Sequence, residues 1–471
     1  MKNFSIKSLV VLPLSLGLFF TSCKRYSSDF GDTNLNPGAV NAPILSALLT
    51  NVEAGLGGYA ASTRGGLYCQ YFSETQYTDV SLYSLPQLDF EGRYSGAMYD
   101  LQNIINYNKS NNMNQVARII KAYIFSQTTD VWGDIPYSQA LTGNRTPAFD
   151  AQKAVYEGCI SELTQAVAAF DNLSGITGDI IYGGDAAKWK KFANSLRMRL
   201  ALQLTKRYPA AGAYAATQFN LALTDAGGFI SDNADNFTLV YPGGSFKSPW
   251  FSLYDGRKDY GESDQMVSLL GSIADGRQSV YGTSSLGVPY GRVRNVVDPW
   301  CQANPTWSRI LADAKRTESS SVVILGAAET FLARAEAADR GWTTENLNTV
   351  YQAGVNASYA QWGLAVPTAS YFAQSGVTLA SAAGTAANIR NIAIQQYIAA
   401  YPDGTRGWNI WRRTGYPTLT PAIDATNATK LIPRRYTYGQ VSYGSNTTAV
   451  TAAAAGLTGG DTQDSKIWWD Q

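Results

Sequence analysis

The sequence predicts a mostly α-helical protein whose helices come in pairs and are separated by long irregular loops. Three observations lead there. Apolar residues recur with the helical period in one segment after another, residues suited to start or stop a helix stand at the ends of those segments, and some successive segments are joined by only a few residues.

The chain opens on an export signal. Lys2 and Lys7 supply a positive start, Leu9 to Phe20 an apolar run, and Phe20-Thr21-Ser22-Cys23 small residues before a cysteine. That run is too short to span a bilayer. A lone cysteine after the small pair resembles the lipobox of bacterial lipoproteins, with Phe20 standing where Leu is usual. The resemblance implies cleavage after residue 22 and three acyl chains on Cys23. At about 0.8 kcal/mol per buried methylene, that many chains make release from a membrane negligible. Residues 23–43 then read as a polar tether containing Gly, Asn and Pro, and 44–471 as the folded part.

Asn114 to Thr129 places Val116, Ile119, Ile120, Tyr123 and Ile124 on one helical face and leads into the turn Trp132 to Tyr137. Asp150 is placed to cap the next helix, which turns Val155, Cys159, Ile160, Leu163, Val167 and Phe170 inward. Asp185 caps the following one, with Trp189, Phe192, Leu196 and Leu200 inward. Further helices are expected at Ser263 to Ala274, Val322 to Arg340 before Gly341, Thr344 to Trp362 before Gly363, and Thr385 to Tyr401 before Pro402. Helices joined this closely suit a tetratricopeptide-like array, although no strict repeat of about 34 residues aligns over three copies. Leu67 to Arg93, Gly227 to Ser263 and Tyr281 to Trp307 read as irregular loops. Loops of that length are uncommon in a compact domain unless they carry function.

Composition excludes several function classes. Lys+Arg 37 against Asp+Glu 36 leave a net charge of +1 with no run of like sign, so nothing favours nucleic acid. The histidine count of 0 removes His-based triads, zinc sites of the H-E-x-x-H kind and imidazole bases. A glycosidase needs only two carboxylates, and Asp130 with Asp134, or Glu329 with Glu336, could be paired in that way; helix-face ion pairs or caps are the alternative. Asp255, Asp259, Glu262 and Asp264 make an oxygen-rich stretch without EF-hand spacing. The glycine patterns at Gly55 to Gly58 and Gly287 to Gly291 neither follow a strand nor open a helix. No metal or cofactor is predicted. Cys69, Cys159 and Cys301 are far apart and read as buried apolar residues, one pair being able to bond in an oxidising compartment.

Charged residues make up only 15% and aromatics 12%, which suits neutral ligands such as sugars and peptides. The three loops concentrate these rings. The candidate ligand-binding residues are Tyr77 and Tyr83 in the first, Trp250 in the second, and Trp300 and Trp307 in the third, with Arg292 and Asp298 as hydrogen-bonding groups. A ring face stacks on the C–H surface of a sugar, and the charged groups satisfy hydroxyls that would otherwise be costly to desolvate.

Seven stretches carry a family pattern. They are Asp32 to Pro37, Thr129 to Leu141, Trp189 to Leu200, Ala333 to Ala337, Trp411 to Pro417, Ile432 to Arg435 and Lys466 to Asp470. In this order, over nearly the whole mature chain, they resemble the SusD/RagB family. The resemblance implies a single domain of tetratricopeptide-like helix pairs with a loop-rich part. It implies an outer-membrane lipoprotein facing the cell surface, without catalysis, that captures oligosaccharide or peptide. It also implies a partner, a SusC-like TonB-dependent transporter over which the chain acts as lid. Two departures stand out: Lys24-Arg25 follows the lipid cysteine where relatives often carry acidic residues, and Arg406 and Ile410 flank Trp408 where acidic residues are also frequent. The shared motifs are expected to be structural, Trp132 and Arg412-Arg413 acting by packing and carbonyl capping, which leaves ligand contacts to the variable loops. A surface glycosidase and a ligand-free scaffold are the competing readings.

Overall fold

The helix Asn111–Trp132 shows how the array is built. Ser110 caps it by accepting from the Met113 amide at 3.3 Å, and Gly133, at φ 91°, ends it. It is buried on almost every side, because the helices Tyr99–Tyr107, Gln152–Ala169 and Ala186–Gln203 all pack on it. Its inward polar residues therefore need partners, and Thr128 and Thr129 donate to backbone carbonyls at 2.7 and 2.6 Å.

This arrangement belongs to a computed structural model that describes residues 43–471, of which Leu45–Gln471 form one unit. The export signal, Cys23 and the tether up to residue 42 lie outside the described residues. Four helix pairs make the tetratricopeptide-like array: Asn111–Trp132 with Gln152–Ala169, Ala186–Gln203 with Tyr214–Leu223, Ala327–Asp339 with Leu347–Gln361, and Ala386–Ala400 with Gly404–Thr414. The pairs begin at 111, 186, 327 and 386, so the spacing between them is irregular and no fixed repeat is visible in the sequence. Between them lies a loop-rich part held by two-stranded sheets, among them Phe72–Glu74 antiparallel to Tyr260–Glu262 and Phe237–Leu239 antiparallel to Val322–Leu325. No helix among the described residues is long and apolar enough to cross a membrane.

Several expected helix ends are where the sequence places them. Asp185 accepts from the Ala187 and Lys188 amides, Ser263 from Met266 and Thr385 from Asn388, while Gly341 and Gly363 take the left-handed φ of 68° and 75° that a helix exit favours. Two expectations fail. Asp150 does not cap: it sits in a short strand and accepts from the Tyr137 and Ser138 amides, both at 2.9 Å, so the helix begins at Gln152 with no side-chain cap. Val322 to Leu325 is strand rather than the first turn of a helix, which starts only at Ala327 after Gly326. Two valines and an isoleucine in succession fit the pleated surface offered by Phe237–Leu239 better than a helical turn. The three cysteines among the described residues are unpaired.

The shared motifs hold the array together. Arg412 donates to the carbonyls of Arg434 and Asp130 at 2.6 and 2.7 Å, with its guanidinium 3.7 Å from the Trp408 ring centroid. Trp132 donates to the Leu88 carbonyl at 3.0 Å. Arg413 pairs with Glu336 across two helix pairs, Nη2 to Oε2 at 2.7 Å, and Gln396 bridges them. Arg406 is neutralised by Glu329 at 2.7 Å, a carboxylate it shares with Arg199. Gly65 and Gly404 are both needed for contact: a Cβ on Gly65 would lie 2.6 Å from the Thr405 nitrogen and one on Gly404 would run into the Gly66 backbone, so the helices Thr63–Tyr68 and Gly404–Thr414 meet backbone to backbone.

Candidate functional site

Backbone pairing gathers the three aromatic loops. Phe72 lies opposite Glu262 and Glu74 opposite Tyr260, which joins the first loop to the second. The Val288 amide donates to the Glu262 carbonyl at 2.9 Å and the Asp264 amide to the Val288 carbonyl at 3.0 Å, which joins the third. Two buried carboxylates sit beneath this junction. Burial raises Glu74 to about 7 against the opposing hydrogen bonds from Ser81, and raises Glu262 to about 7 against Ser308 and Gln278.

The seven candidate residues divide into two groups. Tyr83, Trp250 and Trp307 are buried, with 0%, 3% and 4% of their surface exposed, so their faces are taken by protein. Tyr83 shares its hydroxyl with Tyr290 at 3.2 Å and accepts from the Ala422 amide at 3.0 Å, Trp250 meets the edge of Phe72, and Trp307 packs with Val288 and Val297 under the Arg309 guanidinium. Trp250 also walls a cavity of about 380 Å³ together with Gln361, Trp362, Asp403 and Arg406. Arg292 is committed to Asp424 at 3.0 Å. Among the described residues Asp298 accepts only from Gln302, one turn along the same helix, at 3.0 Å, so Arg292 and Asp298 do not act as a pair.

Tyr77 and Trp300 remain available. Tyr77 is 51% exposed, and the guanidinia of Arg257 and Arg294 stand 5.4 and 5.7 Å from its ring centroid. Arg294 opens the helix Arg294–Ala303, which carries the half-buried Trp300 and lies inside a stretch the sequence presents as irregular. Arg257 is paired with Asp259, whereas Arg294 is exposed and forms no ion pair among the described residues. Arg257 carries no signal in the sequence, and Arg294, one of the charged residues interleaved with the rings of the third loop, is not set apart there from Arg292; what brings both out is the convergence of three separate loops on Tyr77. The patch offers a ring face and N–H donors and holds no nucleophile with a base.

The carboxylates considered for glycosidase chemistry are committed elsewhere. Asp130 bonds Tyr156 and Asn409, Asp134 accepts from the Gln152 amide, and Glu329 and Glu336 are locked by arginines. The acidic loop residues do not converge either: Asp255 pairs with Lys247, Asp259 with Arg257, Glu262 with Ser308 and Gln278, and Asp264 with the Tyr290 amide. Among the described residues, no group of three or more Cys, Asp or Glu side chains is placed to hold a metal.

A family model described as SusD-like, "starch-binding associating with outer membrane", matches residues 37–439. Among solved structures, a chitin-binding SusD homologue from Flavobacterium johnsoniae is 25% identical with a TM-score of 0.79, covering 91% of this chain and 98% of its own. A SusD homologue from Bacteroides uniformis is 25% identical with a TM-score of 0.78, covering 91% and 99%. Another from Bacteroides fragilis is 24% identical with a TM-score of 0.77, again covering 91% and 99%. No curated protein matches.

Proposed function

Because the chain belongs to the SusD-like family, we propose that it is a lipid-anchored, non-enzymatic protein of the outer membrane that binds oligosaccharide at the cell surface and closes as a lid over a SusC-like TonB-dependent transporter. The observation that carries the ligand reading is the exposed Tyr77 ring flanked by Arg257 and Arg294 where the three loops meet, with Trp300 on the adjoining helix. Support for a carbohydrate comes from the family's starch-binding description and from the chitin-binding relative. Absence of catalysis is supported by the carboxylates, which are engaged in ion pairs, caps and hydrogen bonds instead of facing one another across open space.

The test is calorimetric titration of the mature chain with chito-oligosaccharides and malto-oligosaccharides, with chromatography of the sugar afterwards. Binding without cleavage is expected. Tyr77→Ala and Arg294→Ala should each weaken it by about 2 kcal/mol, roughly thirtyfold, with the thermal midpoint nearly unchanged. Tyr83→Ala and Trp307→Ala should instead lower stability. Repeated turnover of the sugar, or full affinity in both patch variants, would overturn the reading. The lid role predicts that mild detergent recovers the chain together with a much larger transporter; recovery of the chain alone while that transporter is expressed counts against it.

The anchor is tested separately. Acylation of Cys23 makes the chain a membrane protein by its lipid alone, so Cys23→Ala should shift it from the membrane fraction to the soluble one. Retention of this variant through a carbonate wash would rule the anchor out.

A further inference from the structure

A second cavity, of about 400 Å³, lies where the first helix, Leu45–Ala60, faces Arg93 and the end of the Asn111–Trp132 helix. That volume falls within the range of small-ligand sites. Arg93 lines it. Its Nη1 donates to Thr128 at 3.0 Å, and its guanidinium lies 4.8 Å from the Tyr59 ring centroid and 5.0 Å from that of Trp132. Among the described residues its Nε and Nη2 reach no acceptor and no carboxylate pairs with it. Burial draws its pKa down from the usual arginine value, opposed only by neighbouring tyrosines.

The rest of the lining is equally unspent. Tyr59, Ser62, Thr405, Tyr436 and Gln127 line the cavity, and among the described residues their hydroxyls and the Gln127 amide have no hydrogen-bond partner. Their polar atoms open onto the cavity and are not sealed from water, so a polar guest exchanges with water for a ready set of donors and acceptors. The first helix keeps the space open. A Cβ on Gly55 or Gly58 would meet nothing within 4 Å, whereas Gly57 beside them is required because the Tyr241 hydroxyl occupies the place its Cβ would take. Glycine inside a helix is unfavourable, and among the described residues nothing packs where a side chain at Gly55 or Gly58 would stand.

We propose that this cavity binds a carboxylate-bearing sugar, such as a uronic acid, at a site separate from the Tyr77 patch. The carboxylate takes the free Nε–Nη2 edge of Arg93 side on, the geometry in which a guanidinium makes two parallel bonds. The sugar hydroxyls take Gln127, Ser62 and Thr405, and the Tyr59 and Tyr436 rings supply apolar walls.

The experiment is titration of the mature chain with glucuronate, with glucose and acetate as the neutral and ring-free probes. Glucuronate should bind at least about tenfold more tightly than either, and Arg93→Gln should remove that preference. Arg93 also packs on two rings, so Gly58→Leu is the second variant. It fills the cavity from a helix position where Leu is favoured over Gly, and should abolish glucuronate binding while the thermal midpoint holds or rises. Tyr77→Ala should leave glucuronate binding unchanged, which separates this site from the loop patch. Glucuronate bound no better than glucose, acetate bound as well as glucuronate, or wild-type affinity in the Gly58→Leu chain would each overturn the proposal.

Discussion

Arg413→Ala should cost the protein about 3 to 5 kcal/mol of stability. The Arg413 side chain is 0% exposed and Glu336 8%, and their pairing ties the helix Gly404–Thr414 to Ala327–Asp339. Burial by itself would raise the Glu336 carboxyl, but the Arg413 and Arg340 guanidinia and the Gln396 amide override it and hold the group below the usual carboxylate range. Removing Arg413 leaves a buried carboxylate with Arg340 as its one remaining cation, so the loss should fall toward the lower end. The sign with pH follows from the depressed value. The contribution is fully present above the unfolded value of 4.5 and disappears as the pH falls through the folded one, so wild type and variant should converge in acid. Arg413→Met combined with Glu336→Leu should recover much of the loss, because neither charge is then stranded. Urea unfolding followed by tryptophan fluorescence measures all three chains. A single variant that loses less than about 1 kcal/mol would show that the pair is not a structural tie.

The helix array was legible where local chemistry decides it. Apolar periodicity with Asp185, Ser263 or Thr385 at the start and Gly341 or Gly363 at the exit marks helices whose caps do what such residues do in isolation. What stayed hidden depends on contacts distant in sequence. The helices Leu45–Ala60 and Gly404–Thr414 look like poor helix formers because of their glycines, and the reasons for Gly57 and Gly404 are a tyrosine hydroxyl and a facing backbone. Val322 to Leu325 follows a helical pattern on paper and becomes strand because Phe237–Leu239 lies beside it.

The candidate binding surface was legible only as a set of loops. Nothing in the sequence distinguishes Tyr77, which stays in water, from Tyr83, whose hydroxyl is drawn in by Tyr290 and the Ala422 amide. Nor does it distinguish Arg292, consumed by Asp424, from Arg294, which stands over Tyr77. Apart from Asp32 to Pro37, which lies outside the described residues, the motifs that identify the family lie in the array and at its closures, so they report the scaffold and not the loop residues that strand register brings together.

Glu53→Gln should flatten the dependence of stability on pH between about 4.5 and 9 and make the protein more stable than wild type at neutral pH. Glu53 is 0% exposed and accepts from the Ile180 amide at 2.7 Å. Its other partner is Asp179, a carboxylate held by the amides of Ile181, Tyr182 and Gly184 and by the Trp189 indole. Burial first, and then the Asp179 charge, raise Glu53 from 4.5 to about 9, so at neutral pH the folded chain keeps a proton that the unfolded chain has released. The sign follows directly. The stability this proton supplies is complete below pH 4.5, declines above it, and is gone once the pH passes about 9. At about 1.4 kcal/mol per pH unit, wild type should lose roughly 3 kcal/mol between pH 4.5 and 7 relative to a chain without this group. Glutamine keeps both roles: its carbonyl accepts from Ile180 and its amide donates to Asp179, with no proton to lose. The measurement is urea unfolding of both chains at pH 5, 6, 7 and 8, read as the difference between them at each pH, which removes the part due to Glu74, Glu262 and Asp403, each also raised by burial. The difference should grow steadily with pH in favour of Glu53→Gln. A difference that stays constant would mean that Glu53 is ionised in the folded protein and that Asp179 does not share its proton.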